Sequence, residues 1–248
     1  MLHAFTRTEW LIGKKALEKL SRSTVAVFGI GGVGSFAVEA LARCGIGNLV
    51  LIDHDNVSIT NLNRQIHADV TTVGKPKVEV MKQRILSINP NADVVCHTEF
   101  YGPETAHKLD FSRFDYVLDA IDTISSKLDL VVRCKTEGIP VISSMGAGNK
   151  MDPTAFRVGD IYETSIDPIA KVMRRELRRL GIQSLKVVYS TETPIKPKYA
   201  AEVSDSSIEE GSKSRKKNPP GSVSFVPSVA GLIMAAEVVK DIIDWSED

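Results

Sequence analysis

The stretch 24–55, TVAVFGIGGVGSFAVEALARCGIGNLVLIDHD, decides the fold. It opens on an apolar run of strand length, turns through glycines and continues with Phe36, Ala37, Ala40 and Leu41 at helical spacing. It closes on NLVLID, a continuous apolar run of the kind buried on both faces of a parallel sheet. Gly29, Gly31 and Gly34, with Gly32 between them, satisfy G-x-G-x-x-G after a strand and before a helix. In that setting the backbone approaches a phosphate held at the helix N-terminus. Asp53, ending the second run, is placed to take a ribose hydroxyl, with Asp55 beside it. The motif alone is weak and fits a nicotinamide-dependent oxidoreductase equally well.

Working outward, the alternation continues. A helix is expected over 75–88, strands over 92–97 and YVLDAI (116–121), a helix over 125–136 and a strand at PVISSM (140–145). A single amphipathic helix over 8–20, with Trp10, Leu11, Leu17 and Leu20 on its apolar side, precedes the first strand. Such alternation implies a Rossmann-like, doubly wound α/β fold, an open and mostly parallel twisted sheet. The expected division is an ATP-binding domain with its N-terminal helix over 1–150, and a smaller extension of strands and helices over 151–248. In the extension we expect a strand near 156–158, a basic helix over 168–180 and a strand at LKVVYST (185–191). The polar, proline-containing stretch at about 194–221 reads as a mobile crossover.

Composition narrows the classes. The 248 residues carry 31 Lys+Arg against 31 Asp+Glu, so any attraction to nucleic acid must come from a local patch. Cys44, Cys96 and Cys134 are widely spaced, which suggests neither a disulfide framework nor a paired-cysteine metal site and fits a reducing cytoplasm. The apolar stretch SFVPSVAGLIMAAEVVKDII (224–243) is broken by Pro227, Glu237, Lys240 and Asp241, so a buried helix is expected rather than a membrane span.

Beyond Asp55 lies an arm rich in Asn, Arg and Lys. GIGGVG, LIDHD, NLNRQ, GKPKVE and VLDAID, in that order, resemble the ubiquitin-activating-enzyme-like superfamily of adenylating enzymes over roughly the first 150 residues. The resemblance implies ATP and Mg²⁺ as cofactors and a carboxylate that attacks the α-phosphorus. That chemistry gathers negative charge, so cations must converge on it. It further implies that Asp53 holds the ribose, that Arg64 and Lys77 contact the phosphates with Asn61 and Gln65 helping, and that Asp122 carries the Mg²⁺. Asp119, within the strand by alternation, is given a supporting role, and Arg7 resembles a family arginine that reaches the partner's site in a homodimer.

The absence of cysteine after Cys134 removes both the zinc clamp of the sulfur-carrier adenylyltransferases and any loop thiol for covalent transfer, so no zinc is expected. Cys134 reads as a packed thiol. RTEWLIG, NRQIHA, EVMKQRILSINP, GAGNKMDPT, DPIAKVMRRELR and VVYSTE resemble the tRNA threonylcarbamoyladenosine dehydratase group over nearly the whole chain. That group implies ATP-dependent cyclisation of threonylcarbamoyladenosine in tRNA through an acyl-adenylate, with no membrane role. The alternative kept beside it is activation of the C-terminal glycine of a ubiquitin-like sulfur carrier. A monovalent cation and a sulfur-relay protein stay open. The RNA surface expected is Lys171, Arg174, Arg175, Arg178 and Arg179 on one helical face, with Val172, Met173, Leu177 and Leu180 as its apolar positions. A second basic cluster, Lys213 and Arg215 to Lys217, falls in the crossover.

Overall fold

The computed structural model describes residues 2–198 and 220–246. The expected crossover falls largely, and its basic cluster wholly, outside the described residues. In chain order the main elements are α1 (Thr6–Ile12), α2 (Lys14–Arg22), β1 (Thr24–Phe28), α3 (Gly34–Cys44), β2 (Asn48–Ile52), α4 (Lys77–Ile88) and β3 (Asp93–His97). There follow β4 (Tyr116–Asp119), α5 (Ile124–Glu137), β5 (Val141–Ser144), β6 (Phe156–Asp160), α6 (Pro168–Arg179), β7 (Lys186–Ser190) and α7 (Phe225–Ile242).

The seven strands form one sheet in the order β3-β2-β1-β4-β5-β7-β6, parallel throughout except where β6 pairs antiparallel with β7. From β1 the chain first winds outward to β2 and β3, then returns to lay β4 on the other flank of β1. The strand order reverses between β1 and β4, and ligands of open α/β sheets bind in the crevice this reversal opens.

Alternation along β1 divides the core. Val25 and Val27 join Leu41, Met81, Met234 and Val238 on the face covered by α3, α4 and α7. Ala26 and Phe28 join Leu130, Met173 and Leu177 on the face covered by α5 and α6. The apolar C-terminal segment is the buried helix expected: α7 lies across α3 and buries nine of its residues. Pro227 is tolerated because it sits in the first turn, where a backbone N–H has no helical partner. No helix among the described residues is long and apolar enough to cross a membrane.

Two expectations are corrected. The single helix over 8–20 is two helices, because Gly13 lies at φ 83° and ψ 161°, which no helical residue adopts. Trp10 and Leu11 consequently do not pack against the core but stand 74% and 76% exposed on α1. The strand expected to run through Ile121 ends at Asp119, where the carboxylate accepts the Ile121 N–H and turns the chain out of the ladder.

Candidate functional site

A cavity of about 560 Å³ opens at the reversal point, between the C-terminal ends of β1 and β4. Its size is ordinary for a small-molecule site. Gly29, Gly31 and Gly32 form part of its wall, and each glycine does a different job. Gly29 has φ 88°, and a Cβ there would stand 2.7 Å from the Ala120 carbonyl oxygen, so the turn can only pass β4 as glycine. Gly31 has nothing within 4 Å of its would-be Cβ, leaving backbone open to the cavity. Gly34 does not line the cavity; its would-be Cβ lies 1.8 Å from the Gly29 carbonyl oxygen, so it lets α3 pack onto the turn.

Asp53 and Asp55 follow β2 on the opposite wall. Asp53 accepts from the Ile30 N–H at 2.6 Å and from the Asp55 N–H at 2.9 Å, which ties the acidic end of β2 to the glycine turn. Lys77, the first residue of α4 and 5% exposed, donates to Asp55 Oδ2 at 2.6 Å and stands 3.9 Å from Asp53 Oδ1. A phosphate contact by Lys77 therefore requires exchange of its Asp55 partner. Asp53, His54 and Asp55 form the only group of metal-ligating side chains close enough to share an ion among the described residues, but their carboxylates are already committed to these partners.

The arm after β2 delivers Asn61, Arg64 and Gln65 to the same cavity. Asn61 accepts the Ser58 N–H in a capping box, so its side chain holds the arm's short helical turn, a job the sequence did not disclose. Arg64 bends back on the Thr60 carbonyl and Asn63 Oδ1. Gln65 is 5% exposed and its Oε1 has no hydrogen-bond partner among the described residues, an acceptor at the cavity wall still owed a donor. Asp122 lies three residues past the end of β4, exposed, and its one side-chain hydrogen bond among the described residues comes from the Thr123 hydroxyl at 3.3 Å. A single open carboxylate of this kind suits Mg²⁺, which takes one or two carboxylates and completes its shell from phosphates and water.

Beyond Asp122 the cavity continues past Gly146, Ala147, Gly148, Asn149 and Lys150 to Pro168 and Ile169 at the start of α6, a half the sequence reading did not anticipate. Lys150 is buried and bonds Asp167 Oδ2 at 3.1 Å and the Gly146 carbonyl at 2.5 Å. Asn149, at φ 58°, exchanges two hydrogen bonds with Gly221 and accepts one from the Ile195 N–H. Four of these five residues are uncharged, and the sequence marked them only as part of GAGNKMDPT, a resemblance that gave them no place in the site.

Arg7 is exposed on α1 and does not line this cavity. Neither do the cysteines. Cys134 is fully buried with its thiol pushed up to about 12 by burial, then by Asp119 and Glu137, as expected of a packed thiol. The basic positions of α6 share one face, but they are not equally available. Arg174 donates to the Thr164 carbonyl and hydroxyl, Arg175 and Arg179 both pair with Glu176, and Arg178 stacks over the Tyr162 ring at 5.0 Å. Lys171 is exposed. Met173 and Leu177 are buried as expected, whereas Leu180, the helix's C-cap, stands 53% exposed where the chain turns through Gly181 at φ 74°.

A family model described as the ThiF family matches residues 6–248. The tRNA threonylcarbamoyladenosine dehydratase of Bacillus subtilis (strain 168) is 51% identical over 246 residues, covering 98% of this chain and 96% of its own. Crystal structures of Escherichia coli tRNA N6-threonylcarbamoyladenosine dehydratase in complex with AMP and with ATP superpose at TM-scores of 0.86 and 0.85, with 34% identity over 97% of this chain and 94% of theirs. The molybdopterin-synthase adenylyltransferase of E. coli (strain K12) is 36% identical but matches only 54% of this chain and 53% of its own.

Proposed function

The chain belongs to the ThiF family, and from that premise we propose that it is an ATP-dependent tRNA threonylcarbamoyladenosine dehydratase that works through an acyl-adenylate. The observation that carries the reading is one cavity, at the reversal point of the sheet, where the glycine turn, Asp53, Arg64, Lys77 and Asp122 meet. Its likeness along almost the full length of the B. subtilis dehydratase supports this substrate over a sulfur carrier.

In this reading the ribose rests on Asp53 and the phosphates run along the open backbone at Gly31 and the N-terminus of α3, where N–H groups and the helix dipole favour an anion. Arg64 turns from Thr60 and Asn63 onto the phosphates, and Lys77 leaves Asp55 for them. Asn61 keeps the arm in place while Gln65 offers its unpaired acceptor. Asp122 would hold an Mg²⁺, which when bound would supply neutralisation of charge on the phosphates.

A threonyl carboxylate oxygen attacks the α-phosphorus, forming the P–O bond as the bond to pyrophosphate breaks. The substrate's own carbamoyl group then attacks the activated acyl carbon, a ring closes, a proton is lost and AMP departs with the carboxylate oxygen. Net loss is one water. No enzyme nucleophile is needed, in keeping with three cysteines that all lie away from the cavity.

The wall from Gly146 to Ile169 takes the modified nucleoside. Since α6 begins at that wall, its basic face leads outward for roughly 18 Å at 1.5 Å per residue, a natural track for the tRNA backbone. Trp10 and Leu11 on α1, with Leu2 before it, leave an apolar and open surface, as a homodimer contact that delivers Arg7 to a partner's phosphates would require. The enzyme in this reading is a cytoplasmic ligase-like homodimer.

Asp122→Ala and Arg64→Ala test the site. Both are expected to abolish ATP-dependent pyrophosphate release while leaving the melting temperature near wild type; wild-type turnover in both would refute the assignment.

A further inference from the structure

Behind Asp122 lies a group of buried polar side chains that the proposed reaction does not touch. Asp119, Lys127 and Ser143 are 0%, 1% and 0% exposed, and they come from β4, α5 and β5. Lys127 Nζ stands 2.9 Å from Asp119 Oδ2, and the Ser143 hydroxyl donates to that same oxygen at 2.5 Å. The other Asp119 oxygen accepts the Ile121 N–H at 3.1 Å, while Lys127 Nζ donates to the Ile121 carbonyl at 3.0 Å. Both polar groups of the residue immediately before Asp122 are thus gripped by one buried ion pair. On the far side, the Lys127 N–H bonds the Thr123 carbonyl, so the segment is held on either flank of Asp122.

Burying a carboxylate and an ammonium is costly, and apolar residues of similar volume usually serve stability as well or better. A pair retained in a fully buried place needs another reason. Here the hydrogen bonds supply one: they fix the peptide that carries an exposed acid, in the way outer partners orient metal ligands. We infer that Asp119, Lys127 and Ser143 are positioning residues that aim the Asp122 carboxylate by clamping the Ile121 backbone. The inference rests on the reading of Asp122 as the Mg²⁺-carrying acid.

Single loss of Lys127 would strand a buried carboxylate, so the test replaces both charges together, as Asp119→Leu/Lys127→Met. Four proteins are compared: wild type, this double variant, Asp122→Ala and the combination of all three substitutions. Two properties are read, pyrophosphate-release kinetics and the gain in ATP affinity on adding Mg²⁺ by calorimetry. The double variant is expected to melt near wild type and to bind ATP in the absence of Mg²⁺ as wild type does. Its kcat should fall about 10-fold to 100-fold, the usual cost of losing an outer partner, with a matching loss of the Mg²⁺-dependent gain. In the Asp122→Ala background the replacement should change that gain no further. Wild-type kcat and Mg²⁺ response in the folded double variant, beside an inactive Asp122→Ala, would overturn the positioning role alone. An active Asp122→Ala would instead overturn the reading of the site. Should the double variant not fold, Ser143→Ala decides: a lowered kcat with a reduced Mg²⁺-dependent gain supports the clamp, and wild-type kinetics and Mg²⁺ response reject it.

Discussion

The glycine turn after β1 and the basic helix α6 both stand out in the sequence, yet the structure treats them differently. At the turn, two of the glycines are fixed by backbone: Gly29 by its left-handed φ beside Ala120, and Gly34 by contact with the Gly29 carbonyl. On α6 the backbone fixes only which side the charges share. Their partners come from elsewhere: Thr164 and Tyr162 from the preceding segment, Glu176 from the helix itself. A motif that specifies backbone geometry carries its site with it, whereas a motif made of long charged side chains only nominates a surface.

The contrast can be broken most severely at the turn. Gly34→Ala places a methyl group 1.8 Å from a backbone oxygen, which no side chain can relieve. Its cost is expected at or beyond the upper end of the roughly 1–3 kcal/mol typical of overpacking, together with loss of ATP binding. Thermal melting and calorimetry would show both; a protein that melts and binds like wild type would mean the turn is not fixed by packing. Next come Asp122→Ala and Arg64→Ala, which disturb charge without disturbing backbone. Each is expected to lower the rate of pyrophosphate release by about 100-fold or more, the scale of removing one transition-state contact.

A third effect lies on the arm that carries Arg64. His67 is 3% exposed, both ring nitrogens lack partners among the described residues, and burial, then Lys77 and Arg84, lower its pKa to about 4. The folded protein therefore refuses a proton that the unfolded chain accepts near pH 6.5. Stability is unaffected above that pH, falls as the pH drops from about 6.5 towards 4, and loses about 2 kcal/mol between about pH 7 and pH 5. Denaturant midpoints across this range should show the slope in wild type and lose most of it in His67→Leu. An equal slope in both would place the acid sensitivity elsewhere.

The smallest effects fall on α6. Reversing charge at Arg174, Arg175 and Arg178 should weaken tRNA binding more than ATP binding and flatten its salt dependence. Glu176→Gln sharpens the comparison, because it releases Arg175 and Arg179 from their shared partner. It should tighten tRNA slightly, given that exposed pairs of this kind contribute only about 0–1 kcal/mol. Unchanged tRNA affinity in both variants would remove the helix from the interface.

Much of the fold was readable because its signals are local. Continuous apolar runs gave β1 and β2 nearly to the residue, and α3 carries Phe36, Ala37, Ala40 and Leu41 as their spacing implied. The break at Gly13 was missed because Trp10 and Leu17, seven residues apart, keep helical spacing across it. Asp53, Arg64, Lys77 and Asp122 do share one cavity, as the motif order implied. What the sequence could not disclose were partners distant along the chain: the Lys77–Asp55 pair and the Asp119–Lys127–Ser143 clamp. Each depends on segments that the fold brings together, and neither leaves a periodic trace.

The central claim is that the cavity activates a carboxylate within tRNA. Its most direct test is mass spectrometry of nucleosides from threonylcarbamoyladenosine-bearing tRNA incubated with the protein and Mg²⁺, with and without ATP. The account predicts loss of one water from the modified nucleoside only when ATP is present. An unchanged nucleoside, with folded protein that still consumes ATP when offered a sulfur carrier ending in glycine, would contradict it.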